Sequence, residues 1–365
     1  MSDFYALPSA AQAERLGALA QAALAHWDFG PAALRLIKFR ENAVFEVAAG
    51  AGRRYALRIH RAGYHSDAEL RSELEWMRAL EASGFDVPQI VPDRSGALFR
   101  TIRYEGVPEP RQVDVFEWIE GEQLGSVAGV APAGGEALVP IFQTIGALAA
   151  RLHNQATNWR LPPGFTRHAW DDAGLVGEQP FWGRFWDLAA LAPAERALLV
   201  RVRDRLRRDL GALPRTPATY GLIHADFAPE NLLVDGNRVR LLDFDDAGFG
   251  WHLFELATSI YFHIGQPYYG AIRAATIAGY RGERALPDDQ LALLPMFLCA
   301  RGCTYLGWVH TRSETETARE LTPMLIELAC SVARDYLEPT GTGEPTGTGK
   351  PTGTGKPAGT GKPAM

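Results

Sequence analysis

The stretch GLIHADFAPENLLVDGNRVRLLDFDDAG, residues 221–248, decides the reading of this chain. It crowds aspartates, a histidine and two asparagines between short apolar runs. Two of those runs, NLLV and VRLLDF, flank Asp235-Gly236-Asn237. Asp-Gly is a strong hairpin signal because a tight turn needs positive φ, so Asp235 is a turn residue. The hairpin sets Asn231 at its entrance and Asp243 at its exit, facing one point in space, with Asp226 in the loop just before. Two carboxylates and an amide oxygen are hard ligands. They suit Mg²⁺, which binds through one or two carboxylates plus phosphates and keeps several waters.

The rest of the chain frames that site. Its 365 residues suggest about two domains. A hydrophobic fraction of 47% and a charged fraction of 22% are those of a globular protein with material for a core. A net charge of −6 makes a poor binder of nucleic acid or anionic membrane. No unbroken apolar run long enough to span a bilayer is evident, and the Ala-rich start, carrying Asp3, Glu14 and Arg15, is not a signal peptide. Cys299, Cys303 and Cys330 read as buried reduced thiols, which with the missing signal implies the cytoplasm. Residues 339–365 repeat a PTGTGK-like hexapeptide without large apolar side chains before Met365 and read as a disordered tail. Its GTGK lacks the strand and helix that a phosphate loop requires.

Patterning divides the ordered part. An N-terminal helical extension (1–30) precedes a small mixed lobe, 31–117, with about five strands and one helix. Ser66, with Glu69 three residues later, caps that helix, and Gly84 stops it. A larger helical lobe, 118–338, opens with a Gly/Ala/Pro loop at 125–136 and carries helices near 193–211, 251–264, 270–281, 287–310 and 314–337. The fold class is α+β, and nucleotide clefts commonly lie between two such lobes.

The order His224-x-Asp226-x₄-Asn231, followed by Asp243-Phe244, has the spacing of the protein-kinase catalytic loop and metal motif. With DVFEWIEGE, GALAARLH and LLDFDDAGFGWHLFELA, the chain resembles the aminoglycoside phosphotransferase and choline kinase-like family, homoserine and stress-response kinases included, over roughly residues 30–335. The resemblance implies a protein-kinase-like two-lobe fold and transfer of the ATP γ-phosphate to a hydroxyl. It makes Asp226 the catalytic base, Asn231 and Asp243 the Mg²⁺ ligands and His224 a loop-orienting residue. Where the family has a strand Lys paired to a helix Glu, this chain has Arg58, with Glu73 its partner or Glu69 the second choice. Arginine is not equivalent to an ammonium there. No glycine-rich loop precedes it; FRENAVF (39–45) takes that place, with Asn42 offering an amide or merely turning the chain. FEWIEG (116–121) resembles the hinge, where adenine would bond backbone groups of Glu117 and Ile119 beside Trp118. Glu255 stands where the family has an Asp that braces the catalytic loop, or is a charge at a helix N-terminus.

The acceptor is less defined. Asp243 is followed closely by the helix of FELA, which leaves little room for a peptide platform and favours a small molecule. Asp245, Asp246, Trp251, His252, Trp170, Asp171 and Trp182 are the acceptor candidates. Acids with aromatics suit an amine-bearing alcohol, while the plain reading of each Trp is core packing. The alternatives are a stress-response-type protein kinase, a nucleotide-binding pseudokinase suggested by Arg58, and a structural scaffold.

Overall fold

The computed structural model describes residues 4–40, 42–125, 135–236 and 238–338, with only the backbone at 136. The repeat tail and most of the loop expected at 125–136 lie outside the described residues. The elements in chain order are α1 (Ser9–Ala23), β1 (Ala33–Phe39), β2 (Ala43–Ala48), β3 (Arg54–Ile59), α2 (Asp67–Ala82), β4 (Phe99–Ile102) and β5 (Arg111–Glu117). Then come β6 (Glu122–Gln123), α3 (Gly135–Asn158), β7 (Ala169–Trp170), α4 (Asp172–Val176), α5 (Pro193–Gly211), β8 (Tyr220–Ile223), β9 (Leu232–Asp235) and β10 (Arg238–Leu241). The chain closes with β11 (Gly248–Trp251), α6 (His252–Ile260), α7 (Tyr269–Glu283), α8 (Asp288–Leu291), α9 (Leu294–Thr311) and α10 (Glu316–Leu337). This is the α+β architecture expected, a sheet beside a larger helical region.

The sheet is antiparallel in the order β1-β2-β3-β5-β4. One face buries Phe45, Val47, Leu57 and Val113 against Leu16, Leu19, Ala20 and Trp27 of the N-terminal segment. Alternation explains this: residues two apart on a strand share a face. Helix α2 starts as its sequence demands, with Ser66 Oγ accepting from the Glu69 N–H and the Glu69 carboxylate accepting from the Ser66 N–H. Its apolar stripe, Leu70, Leu74, Met77 and Leu80, belongs to the core shared with the helical region.

In that region α3 and α7 cross closely enough to need glycine. A Cβ on Gly146 would sit 2.0 Å from the Thr276 carbonyl oxygen, and one on Gly279 would sit 1.9 Å from that of Gln143. The segment Asp288–Thr311 is long and apolar enough to cross a membrane, contrary to the reading of the sequence, but most of its apolar stretch is buried inside the protein. It forms α8 and α9, and α9 is a core helix holding the buried thiols Cys299 and Cys303.

Candidate active site

The β9–β10 hairpin forms as its turn chemistry dictates. Asp235 pairs with Arg238, and Gly236 takes φ +59° in the turn. Its open end meets: the Leu242 N–H donates to the Asn231 carbonyl over 2.8 Å. Asn231 Nδ2 in turn donates to Asp226 Oδ2 at 2.7 Å. Asp226, Asn231 and Asp243 therefore line one cavity of about 110 Å³, together with Asp245 and Asp246.

The loop before the hairpin is braced from below. Glu255, in the first turn of α6, accepts from the His224 N–H at 2.9 Å and the Ala225 N–H at 2.6 Å. His224 accepts the Asp226 N–H on Nδ1 at 3.2 Å, so its Nε2 carries the proton and donates to the Leu242 carbonyl at 2.9 Å. Burial holds this ring neutral, its pKa lowered to about 4. It staples the Asp226 loop to the strand leading to Asp243. Ala225 and Asp243 both sit at left-handed φ, 65° and 60°. Such a conformation costs a non-glycine residue on the order of 1 kcal/mol and persists where surrounding contacts over-determine it.

Sequence reasoning missed the residue that holds Asp226. Arg301, fully buried on α9, donates to Asp226 Oδ1 at 2.6 Å, to the Ala225 carbonyl at 3.0 Å and to Tyr305 Oη at 2.8 Å. Burial raises the Asp226 pKa and the Arg301 charge works against that rise. No local pattern marks Arg301; it lies 75 residues downstream.

The upper half carries a second buried arginine. Arg58 Nη2 donates to Glu73 Oε1 at 2.8 Å and to Asp114 Oδ2 at 2.7 Å, and its Nη1 lies 3.7 Å from Asp243 Oδ1. Glu73 is thus the helix partner, while Glu69 turns its Oε2 to the α2 cap. Burial pulls the Arg58 pKa down, but Asp114 and Glu73 more than reverse it. His60, 3.0 Å from Asp114, is likewise raised to about 9 against its burial. Arg167, also missed, ties Glu73 to the loop after Asp243 by donating to the Asp245 and Ala247 carbonyls.

At the turn between β1 and β2, Asn42 is committed within the protein. Its Nδ2 donates to Asp245 Oδ2 at 3.2 Å and its Oδ1 accepts from the Arg61 N–H at 3.0 Å. The cavity-lining cations there are Lys38 and Arg40, which reach Glu230, in the loop that follows Asp226, at 3.5 and 2.7 Å. At the hinge-like segment, the Glu117 N–H donates to the Gln89 carbonyl, the Trp118 N–H donates to the Arg54 carbonyl, and the Arg54 guanidinium covers the Trp118 ring at 4.2 Å. Ile119 follows directly.

The acceptor candidates separate. Asp245, Asp246 and Trp182 line the cavity with Tyr64, Tyr305, Trp308 and Arg312. Asp246 Oδ1 accepts from Tyr64 Oη at 2.7 Å and Trp182 Nε1 at 3.1 Å. Burial, then the charges of Asp226 and Asp245, hold Asp246 well above the usual carboxylate range. Burial pushes Asp245 up as well, but the His60 hydrogen bond and the charges of His60 and Arg58 outweigh it and hold Asp245 well below that range. Trp170 is buried behind the wall, donating to the Asp246 carbonyl at 2.8 Å. Asp171, Trp251 and His252 are not brought to the cavity. Asp171 caps α4 through the Gly174 N–H and pairs with Arg215 at 3.1 Å. Trp251 is buried beside Tyr220 and Phe297, and the His252 ring stacks on His153 at 4.2 Å. Strand β11 and the start of α6 direct both away from the loop that Asp226 occupies.

Comparison with known proteins agrees with this fold. The model of the phosphotransferase enzyme family matches residues 33–289. Amicoumacin kinase of Bacillus subtilis (strain 168) is 25% identical over 323 residues, covering 83% of this chain and 87% of the relative. A microcompartment-associated aminopropanol kinase superposes with a TM-score of 0.77 at 35% identity, over 88% of this chain and 97% of its own. An amicoumacin kinase in complex with AMP-PNP, Ca2+ and Ami shares the fold, with a TM-score of 0.71 at 22% identity over 87% and 93% of the two chains. The chain belongs to the phosphotransferase enzyme family and is an ATP-dependent phosphotransferase.

Proposed function

We propose that this protein moves the γ-phosphate of ATP, with Mg²⁺, to the hydroxyl of a small amine-bearing alcohol. One observation carries the reading: Asp226 shares a cavity with Asp243, Asp245, Asp246 and Tyr64, so a base and an acid-lined wall face one space. Carboxylates and aromatic faces attract an ammonium, and the named function of the aminopropanol kinase relative points the same way.

The donor set fits a hard dication. Asn231 and Asp243 would hold it through amide and carboxylate oxygens. Asp243 has its pKa pushed up to about 6, by burial and then by the Asp245 charge. Its side chain keeps 42% exposure, so the crowding of acids weighs more heavily here than burial does. Like charges packed this closely favour a bound cation. Bound Mg²⁺ would supply neutralisation of the charge on the transferring phosphoryl group.

The chain's own residues do the rest. Asp226 orients the acceptor hydroxyl and takes its proton, held in aim by Arg301 and Asn231. Arg58, oriented by Glu73, presents Nη1 beside Asp243 toward the phosphates. Lys38 and Arg40 supply, as charges, what a glycine-rich loop supplies as amides. Adenine rests against the Glu117 carbonyl and the Ile119 amide, near Trp118. His224 and Glu255 keep the loop in shape. Only residues 244–251 separate Asp243 from α6, too few for a peptide platform.

The test is acceptor-dependent ADP release across amino alcohols, amino acids, aminoglycosides and uncharged alcohols. Turnover with amino alcohols at the lowest KM supports the reading, and turnover confined to uncharged alcohols or to a protein substrate overturns it. Asp226→Asn should cut kcat by about 10²- to 10⁴-fold with nucleotide binding kept; near-normal turnover would remove Asp226 from the base role.

A further inference from the structure

Behind the loop from Asp243 to Asp246, side chains from distant parts of the chain converge. His65 lies just before α2, Glu69 is in its first turn, and His168 precedes β7. One ligand atom from each of the three lies within 4.8 Å of the other two. The two imidazole rings are nearly parallel, 9° apart, with centroids 5.7 Å from each other.

Their hydrogen bonds define the tautomers. His65 Nε2 lies 2.7 Å from the Asp245 carbonyl, and His168 Nε2 lies 3.1 Å from the Asp246 carbonyl. A carbonyl only accepts, so each Nε2 carries the proton and each Nδ1 is a lone pair. Both Nδ1 atoms are buried without a hydrogen-bond partner, and His65 as a whole is only 6% exposed. Burial lowers the pKa of both rings, which keeps them neutral as metal ligation requires.

We propose that His65 Nδ1, His168 Nδ1 and a Glu69 carboxylate oxygen form a site for a borderline dication, Zn²⁺ being the best match, distinct from the site at Asn231 and Asp243. Two neutral imidazoles and a carboxylate are a zinc ligand set, with water as the fourth ligand. Metal-binding histidines usually donate their other ring N–H to a carbonyl or carboxylate, as both do here. Glu69 Oε2 accepts from the Ser66 N–H and Oγ, which leaves Oε1 as the ligand oxygen.

Tetrahedral ligands at zinc distances stand about 3.4 Å apart. The three atoms must therefore close by on the order of 1 Å, a shift that the two imidazoles share with Glu69. The Arg167 guanidinium, bonded to the Glu69 carbonyl at 3.2 Å, is the opposing charge nearby; Glu73 at 3.4 Å offsets it. A dication here would clamp α2 to the segment before β7. It would also stiffen the backbone of Asp245 and Asp246, whose carbonyls hold the ligand rings.

The test uses the full-length protein stripped with a chelator, then titrated with Zn²⁺ alone by calorimetry and with Co²⁺ by visible absorption, under excess Mg²⁺. The expected result is one equivalent bound, tetrahedral Co²⁺ bands and a raised Tm. Glu69→Gln keeps the capping box, since Gln serves at that position, and should weaken Zn²⁺ binding by at least about tenfold. His168→Ala should abolish it, with Trp170 still bonding the Asp246 carbonyl. Asp243→Asn should leave it intact. No stoichiometric binding, or binding that survives His168→Ala and disappears in Asp243→Asn, overturns the site.

Discussion

Two buried arginines stand on either side of the reaction centre, and they do opposite work. Arg58 meets two carboxylates, Glu73 and Asp114, and both of those acids are fully buried. Arg301 meets one, Asp226, whose side chain keeps 19% exposure to the cavity. In the first case the acids fix the cation and share its charge, leaving Nη1 beside Asp243. In the second the cation restrains the acid, opposing the rise in pKa that burial imposes. A buried ion pair is a weak source of stability, but removing one partner strands the other. What matters at each place is which partner is stranded.

The largest expected effect is therefore on the Arg58 side. Arg58→Met leaves Asp114 to His60 and Glu73 to Arg167, and should cost about 3–5 kcal/mol of unfolding free energy, read from the denaturation midpoint at unchanged m-value. A loss below about 1 kcal/mol would mean that His60 and Arg167 already satisfy both acids. Arg301→Met should act on rate instead. A base no longer held in aim should lose on the order of 10²-fold in kcat. Without the cation the Asp226 pKa rises, so the ascending limb of the pH–rate profile should move to higher pH. Loss of rate with an unmoved limb would assign Arg301 a structural part only.

Acid should weaken the fold more gently. His224 and His263 are held neutral by burial, their pKa lowered from 6.5 to about 4. An unfolded chain binds those protons first, so stability falls as pH drops below about 6.5, by up to about 1.4 kcal/mol per pH unit for each ring. His60 runs the other way: raised from 6.5 to about 9, its contribution is full below about 6.5 and is lost as pH climbs from there through about 9. Asp243, raised to about 6, acts in the opposite sense over the same range, so urea midpoints at pH 7 and 5 in an Asp243→Asn background check the sum, and an unchanged midpoint there would place the two rings in water. The smallest effect belongs to Asp171→Ala, which removes the α4 cap and should cost about 1 kcal/mol while acceptor KM stays unchanged. A clear rise in KM would return Asp171 to the acceptor site.

The legible part of the site was local. Spacing and turn chemistry brought out the hairpin, the convergence of Asn231, Asp243 and Asp226, and the Ser66–Glu69 cap, because each depends on residues a few positions apart. Glu255 as the loop brace and Glu73 as the partner of Arg58 followed from the family pattern. Trp251 and His252 show where that ends. Their side chains and those of Asp245 and Asp246 are close in sequence, yet only the two acids line the cavity. A strand and a helix beginning between them turn alternate residues to opposite sides, and nothing local says which side faces the cleft.

The sequence by itself determined the hairpin, the convergence of Asp226, Asn231 and Asp243 and the cap of α2, since turns, caps and motif spacing act over short range. Only the tertiary structure decided that Arg301 holds Asp226, that Tyr64 and Trp182 hold Asp246, and that His65, Glu69 and His168 meet. Those partners come from segments 64 to 182 residues apart, the neighbours His65 and Glu69 excepted. Their meeting depends on how helices pack around a shared core, and that packing buries the polar groups that must then find one another.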